Sequence, residues 1–204
     1  TSDIIMMNKG AAQAPAIGDV LNTVIEQIRN DRRNSGVDLV TGVTEESTMD
    51  CTTGATATAG DPNSYTYKET WTEAENGTYS GSDTYVSCAI MTGVEIDGKI
   101  YFSGPWKADG SFTDGARGDL NMTTAAATIE LDNISFKETG NDYSGDFVTS
   151  VWQYVYNPSL GGGFSMKTTT DLVGNWGTLC GEPTSGVVLI SGADNTRIRL
   201  TFGA

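Results

Sequence analysis

The chain has 204 residues, carries 26 acidic against 12 basic side chains for a formal charge of −14, and contains no histidine. That length supports one sizeable domain with its own core, and that charge repels nucleic acid and anionic membrane surfaces, which sets both aside as partners. Without histidine there is no Ser-His-Asp or Cys-His relay, and three cysteines far apart with no Cys-x-x-Cys spacing argue against zinc or haem, so no cofactor or metal is expected.

Thr1 to Ala14 form an N-terminal arm, in which the apolar cluster Ile4, Ile5, Met6 and Met7 precedes the small, loose run Asn8 to Ala14. Four adjacent apolar residues do not suit a solvated tail. They either fold onto their own core or insert into a neighbouring subunit. A start at Thr1 without Met fits removal of a leader as well as simple Met excision.

Residues Pro15 to Arg33 place Ile17, Val20, Leu21, Val24, Ile25 and Ile28 at helical three-and-four spacing. Pro15 suits the first turn, where its missing N–H costs nothing. Asp19 near the start and Arg29, Arg32 and Arg33 at the end complement the helix dipole, and Asn34-Ser35-Gly36 stops the element. This helix buttresses a sheet or docks on a neighbour. No apolar run approaches the roughly 20 residues of a membrane-spanning helix.

Val37 to Asp50 reads as a connection with one short strand near Asp38 to Val43. From Cys51 onward the pattern is β. Thr52 to Ala59 alternates up to the turn signal Gly60-Asp61-Pro62-Asn63, and Ser64 to Thr72 puts Tyr65, Tyr67, Glu69 and Trp71 on one face. Asn76-Gly77 signals a hairpin to Thr78–Ala89, and Asp97-Gly98 signals another between Met91–Ile96 and Lys99–Ser103. Trp106 to Asp119 reads as a Gly/Asp-rich hairpin tip or loop. Thr123 to Phe136 alternates with one register break, and Tyr143 to Tyr156 is the longest aromatic strand. Phe164 to Val173 follows, then a closing hairpin of Gly186–Ser191 and Thr196–Phe202 around Gly192 to Asn195. The expected fold is therefore mainly β: an antiparallel meander sheet, sandwich or barrel, packed on the N-terminal amphipathic helix, with residues 15–204 as a single domain.

Cys51 and Cys88 each sit beside a predicted β segment and are expected to form a disulfide within the chain. Closing the loop between them stabilises by about 4 kcal/mol on the chain-entropy model. Cys180 is left free, paired otherwise, or bonded to another molecule.

The residues carry one resemblance. Cys51 leading a Gly/Thr stretch, Cys88 preceding Ile96-Asp97-Gly98-Lys99, and the ending Cys180-Gly-Glu-Pro-Thr-Ser-Gly-Val-Val-Leu-Ile-Ser-Gly-Ala-Asp-Asn-Thr resemble a loose set of exported, Thr/Gly-rich bacterial envelope proteins with a C-terminal hairpin of this type. The likeness spans Cys51 to Phe202 and lies in turns and cysteines. It implies an exported β-rich protein, extracellular or on the cell surface, and transfers no catalytic residue. Asp194-Asn195 stands where those proteins would have Asn-Gly.

Three functions follow. The first is a noncatalytic structural or surface protein of the cell envelope, the self-assembling subunit of an extracellular filament whose partner is another copy of itself. Its basis is the apolar arm and the absence of reaction motifs, so the chain is not expected to be an enzyme. The second is a secreted glycan- or calcium-binding module. It would use Trp71, Trp106, Trp152 and Trp176 as stacking surfaces, or the oxygens of Asp109, Asp114 and Asp119, whose spacing is not that of an EF-hand. The third is an exported hydrolase with a carboxylate pair drawn from Glu69, Glu73, Glu130 or Asp146. Arg117-Gly118-Asp119 and the sequons at Asn76, Asn121 and Asn133 add nothing to the choice.

Overall fold

The computed structural model describes residues 23, 44–72, 78–105, 107, 109–125, 127–141, 143–158, 161–175 and 183–203. Within them the chain forms ten strands: β1 (Thr44–Asp50), β2 (Ser64–Thr72), β3 (Thr78–Met91), β4 (Val94–Pro105), β5 (Ser111–Thr124), β6 (Thr128–Asn141), β7 (Asp146–Asn157), β8 (Gly162–Asn175), β9 (Pro183–Ser191) and β10 (Arg197–Phe202). They lie side by side in chain order in one antiparallel sheet. Successive strands joined by short turns pair with their own neighbours, so the ladder stays in one sheet and no sandwich arises. Among the described residues β1 pairs only with β2 and β10 only with β9, so the sheet is an open meander rather than a closed barrel.

Of the expected helix Pro15–Arg33 only Thr23 is described, and it is helical. The packing of that helix, the arm with Ile4, Ile5, Met6 and Met7, the Asn76-Gly77 turn and Cys180 all lie outside the described residues.

One face of the sheet is the core. Tyr65, Tyr67, Tyr79, Tyr85, Ile96, Ile100, Phe102, Leu120, Met122, Ile129, Leu131, Ile134 and Val155 form a single buried cluster. Strands β2 to β7 supply it, largely at alternate positions, as the pleat requires. The register seats Tyr65 opposite Tyr85 with ring centroids 6.2 Å apart, and Tyr67 stacks on Phe102 at 6.1 Å. The break expected in Thr123–Phe136 occurs between Asp132 and Ser135, where Asn133 has a φ of +53° and its N–H donates to Asp119 Oδ1 at 2.6 Å. That bulge switches the inward set from Ile129 and Leu131 to Ile134, keeping apolar side chains inside on both sides.

Four expectations need correction. Thr44–Asp50, expected as part of a connection, is strand β1, because Thr48 and Met49 pair across to Thr66 and Tyr65, while the short strand expected near Asp38–Val43 lies outside the described residues. Thr52–Ala59 is a turn with one isolated bridge between Met49 and Thr56: Asp50 Oδ1 accepts from the N–H groups of Thr52 and Thr53 and holds the chain out of the ladder. The hairpin between β3 and β4 turns at Thr92-Gly93, and β4 runs straight through Asp97-Gly98. Asp97 is held there because its Oδ1 accepts from Ser87 N, at a bulge of β3, at 2.7 Å. Most of the expected Trp106–Asp119 loop is strand β5, whose Phe112, Asp114 and Ala116 are cross-strand partners of Gly140, Glu138 and Phe136.

The expected disulfide is present: Cys51 and Cys88 are bonded across a separation of 37 residues. It is buttressed by Asn63. The carbonyl oxygen of Asn63 accepts from Cys51 N, its Nδ2 donates to Asp50 Oδ2, and its Oδ1 accepts from Ala89 N at 3.1 Å.

Exposed turns add a pH dependence. The Thr53 N–H and hydroxyl hold the Asp50 carboxyl below its ordinary value, the Ser111 hydroxyl and N–H do so for Asp109, and the Asn175 amide and Ser144 hydroxyl for Asp146. A carboxyl lowered in the folded state contributes stability that is present above its unfolded value of 3.8 and is lost as pH falls through the lowered one. The melting temperature should thus be level above about pH 5 and decline below about pH 4. Asp50→Asn should flatten that decline; an unchanged slope in the variant, followed by calorimetry, would remove Asp50 from the account.

Candidate functional site

The charged side chains buried on the inward face are all carboxylates, whereas the outward face carries both signs, with Glu46 opposite Lys68 and Asp119 opposite Lys99. The inward face carries four buried carboxylates, Glu69, Asp83, Asp114 and Glu138. Hydroxyls donate to all four: Tyr67 to Glu69, Tyr79 to Asp114, Tyr85 to Asp83 at 3.3 Å, and Thr149 to Glu138 at 2.6 Å. Burying a carboxylate is tolerable only with such partners. On the same face the Gln153 side chain of β7 is fully buried, and neither end of its amide has a hydrogen-bond partner. Asp114 and Glu138 face each other across β5 and β6, a pair missed in the sequence because 24 residues separate them. They are 7 % and 4 % exposed, which closes them to a polymeric substrate.

The sequence-derived sites are dispersed. Glu69 points into the core, Glu130 is a cross-strand partner of Asn121 and Tyr156, Asp146 is exposed at the start of β7 where its Oδ1 accepts from Asn175 Nδ2, and Glu73 lies outside the described residues. No hydrolase pair forms from this set. The proposed calcium oxygens separate as well: Asp109 holds the turn before β5 through Ser111, Asp114 is inward, and Asp119 is exposed beside the β6 bulge. Among the described residues no group of three acidic or cysteine side chains converges. Arg117-Gly118-Asp119 is mid-strand, where Gly118 lets β4 approach: a Cβ there would lie 2.1 Å from the Lys99 oxygen. Trp152 is on the outward face and 41 % exposed, whereas Trp106 and Trp176 lie outside the described residues.

The outward face gathers the cations. The described lysines and arginines are Lys68, Lys99, Lys107, Arg117, Lys137, Lys167, Arg197 and Arg199, and all except Lys107, in the turn before β5, stand on strands at outward positions. The register aligns one row across all ten strands: Glu46, Lys68, Ser82, Tyr101, Arg117, Ser135, Trp152, Lys167, Leu189, Arg199. At one end Lys68 Nζ pairs with Glu46 at 2.9 Å. Lys99 sits 4.9 Å from the centroid of the Tyr101 ring. A groove of about 650 Å³ crosses β2 to β6 here, lined by Lys68, Thr70, Ser80, Tyr101, Arg117 and Ser135 among others. Comparison of the chain with family models, curated proteins and solved structures gives no match. The chemistry must therefore be read from these residues. Among the described residues no helix is long and apolar enough to cross a membrane.

Proposed function

We propose that this chain is a noncatalytic structural protein of the bacterial cell surface, the subunit of an extracellular filament in which the open sheet edge of one copy receives a strand from the next. The observation that carries this reading is the pair of open edges. β1 (TEESTMD, seven residues) and β10 (RIRLTF, six residues) each pair on one side only among the described residues, are matched in length, and are opposite in charge. An unpaired edge presents a row of N–H and C=O groups that templates a further strand. A contact between two different edges is heterologous and propagates unless its rotation closes a ring.

Export is supported by the disulfide, which belongs to an oxidising compartment, and by the resemblance to exported envelope proteins. The strand offered to β10 is either β1 of the next copy or the arm with Ile4, Ile5, Met6 and Met7. Negative-stain microscopy and sedimentation distinguish the two. Removal of residues 1 to 9 should abolish assembly if the arm is the donor, whereas Arg197→Glu with Arg199→Glu should abolish it if β1 is. A full-length chain that stays monomeric at high concentration would end the proposal.

A further inference from the structure

The outward row carries a pattern that strand addition at the edges does not use. Read across the strands, its chemistry repeats: cation, serine, aromatic at Lys68, Ser82 and Tyr101, then cation, serine, aromatic at Arg117, Ser135 and Trp152, then the cation Lys167. Each repeat spans three strands, or about 14 Å at the usual strand spacing. The flanking row on one side, through Thr70, Ser80, Ser103, Gly115, Lys137 and Ser150, adds hydroxyls and one more cation and holds no carboxylate, while the row on the other side sets Asp119 opposite Lys99. Tyr101 and Trp152 are 49 % and 41 % exposed, with Lys99 over the Tyr101 ring. Arg117, Lys137 and Lys167 make no ion pair with described residues.

We infer that this row binds an extended acidic polysaccharide, its sugar rings stacked on Tyr101 and Trp152 and its carboxylate or sulfate groups paired with Arg117, Lys137 and Lys167. A ligand chain laid across the strands meets an exposed cation and an exposed aromatic ring at a fixed interval, which suits a polymer built from a repeating unit. The flat face of a pyranose covers an aromatic ring, and the exposed Ser135 hydroxyl offers a donor and an acceptor to its ring hydroxyls, whereas Ser82 is buried. Arg117 forks onto a planar carboxylate or sulfate. Nucleic acid fits less well. Its charges stand about 1.7 Å apart along the duplex axis, far denser than cations about 14 Å apart, and the chain's charge of −14 opposes so dense a polyanion.

The test uses the full chain in titration calorimetry and affinity electrophoresis against alginate, hyaluronan, dextran and a single-stranded oligodeoxynucleotide. Alginate or hyaluronan should bind, dextran at least tenfold more weakly, and the acidic polymers should weaken as salt rises from about 50 to about 300 mM. Arg117→Gln with Lys167→Gln should reduce affinity tenfold or more, Trp152→Ala likewise, and Trp152→Phe by less than threefold. Lys107→Gln, off the row, should have no effect. Circular dichroism on each variant separates lost binding from lost fold, and Arg117→Lys should recover part of the affinity. The inference is overturned if dextran binds equally, if the oligodeoxynucleotide binds more tightly, if Lys107→Gln weakens binding as much as the row variants, or if none of the four polymers binds.

Discussion

A Cys51→Ser, Cys88→Ser double variant should melt roughly 10 °C below the parent, since cutting a disulfide of this span removes about 4 kcal/mol and a domain of this size loses about 2–4 °C per kcal/mol. The bond closes 37 residues of chain that contain the whole of β2 and most of β3. Cys88 is fully buried in the main core cluster, so the substitution also places a hydroxyl among apolar neighbours. The Asn63 bridge between Asp50 and Ala89 survives in the variant and should keep the local turn native. Differential scanning calorimetry of the parent with and without reductant is the direct check. A reduced parent that melts within about 2 °C of the oxidised one would mean that Asn63 and the β1–β2–β3 ladder already constrain the loop.

Gly98→Val should be comparably damaging, at about 4 kcal/mol, by two additive routes. Gly98 has a φ of +131°, where a branched side chain is strained, and a Cβ built there would lie 2.4 Å from the Asp119 oxygen and 3.0 Å from Leu120 Cα. Backbone strain of that kind costs about 1–3 kcal/mol, and forcing apart a packed strand pair costs a similar amount. Gly93→Ala provides the comparison. That glycine has a φ of +76° but open space around its Cα, so only the backbone strain remains. Chemical denaturation should find Gly93→Ala much milder than Gly98→Val. Equal losses would show that β4 and β5 separate to admit the side chain.

Those two glycines also mark the limit of what local pattern could say. Asp97-Gly98 has the composition of a tight turn, and Thr92-Gly93 is where the chain turns; the difference is made by Asp119 and Leu120 on β5, which crowd Gly98 from another strand. The same holds from Trp106 to Asp119. Its glycines read as loop, yet Gly118 is a strand position where the Lys99 backbone leaves no room for a Cβ.

Alternation of side chains is a property of one strand's own backbone, and it could therefore be read directly. The inward set Tyr65, Tyr67 and Glu69 of β2, the break near Asn133 in β6 and the closing β9–β10 hairpin around Gly192 to Asn195 all stand where period two and turn residues put them. What only the tertiary structure decided is lateral neighbourhood. Lys68, Tyr101, Arg117 and Trp152 are scattered along the chain and share no local signal. They come into line because each antiparallel pairing, with bulges near Ser87, Asn133 and Ser150, sets one strand's register against the next. A slip of one residue in any pairing would send half the row into the core. Parity along a strand is local geometry, whereas alignment across ten strands is a sum of pairings that no single stretch of sequence contains.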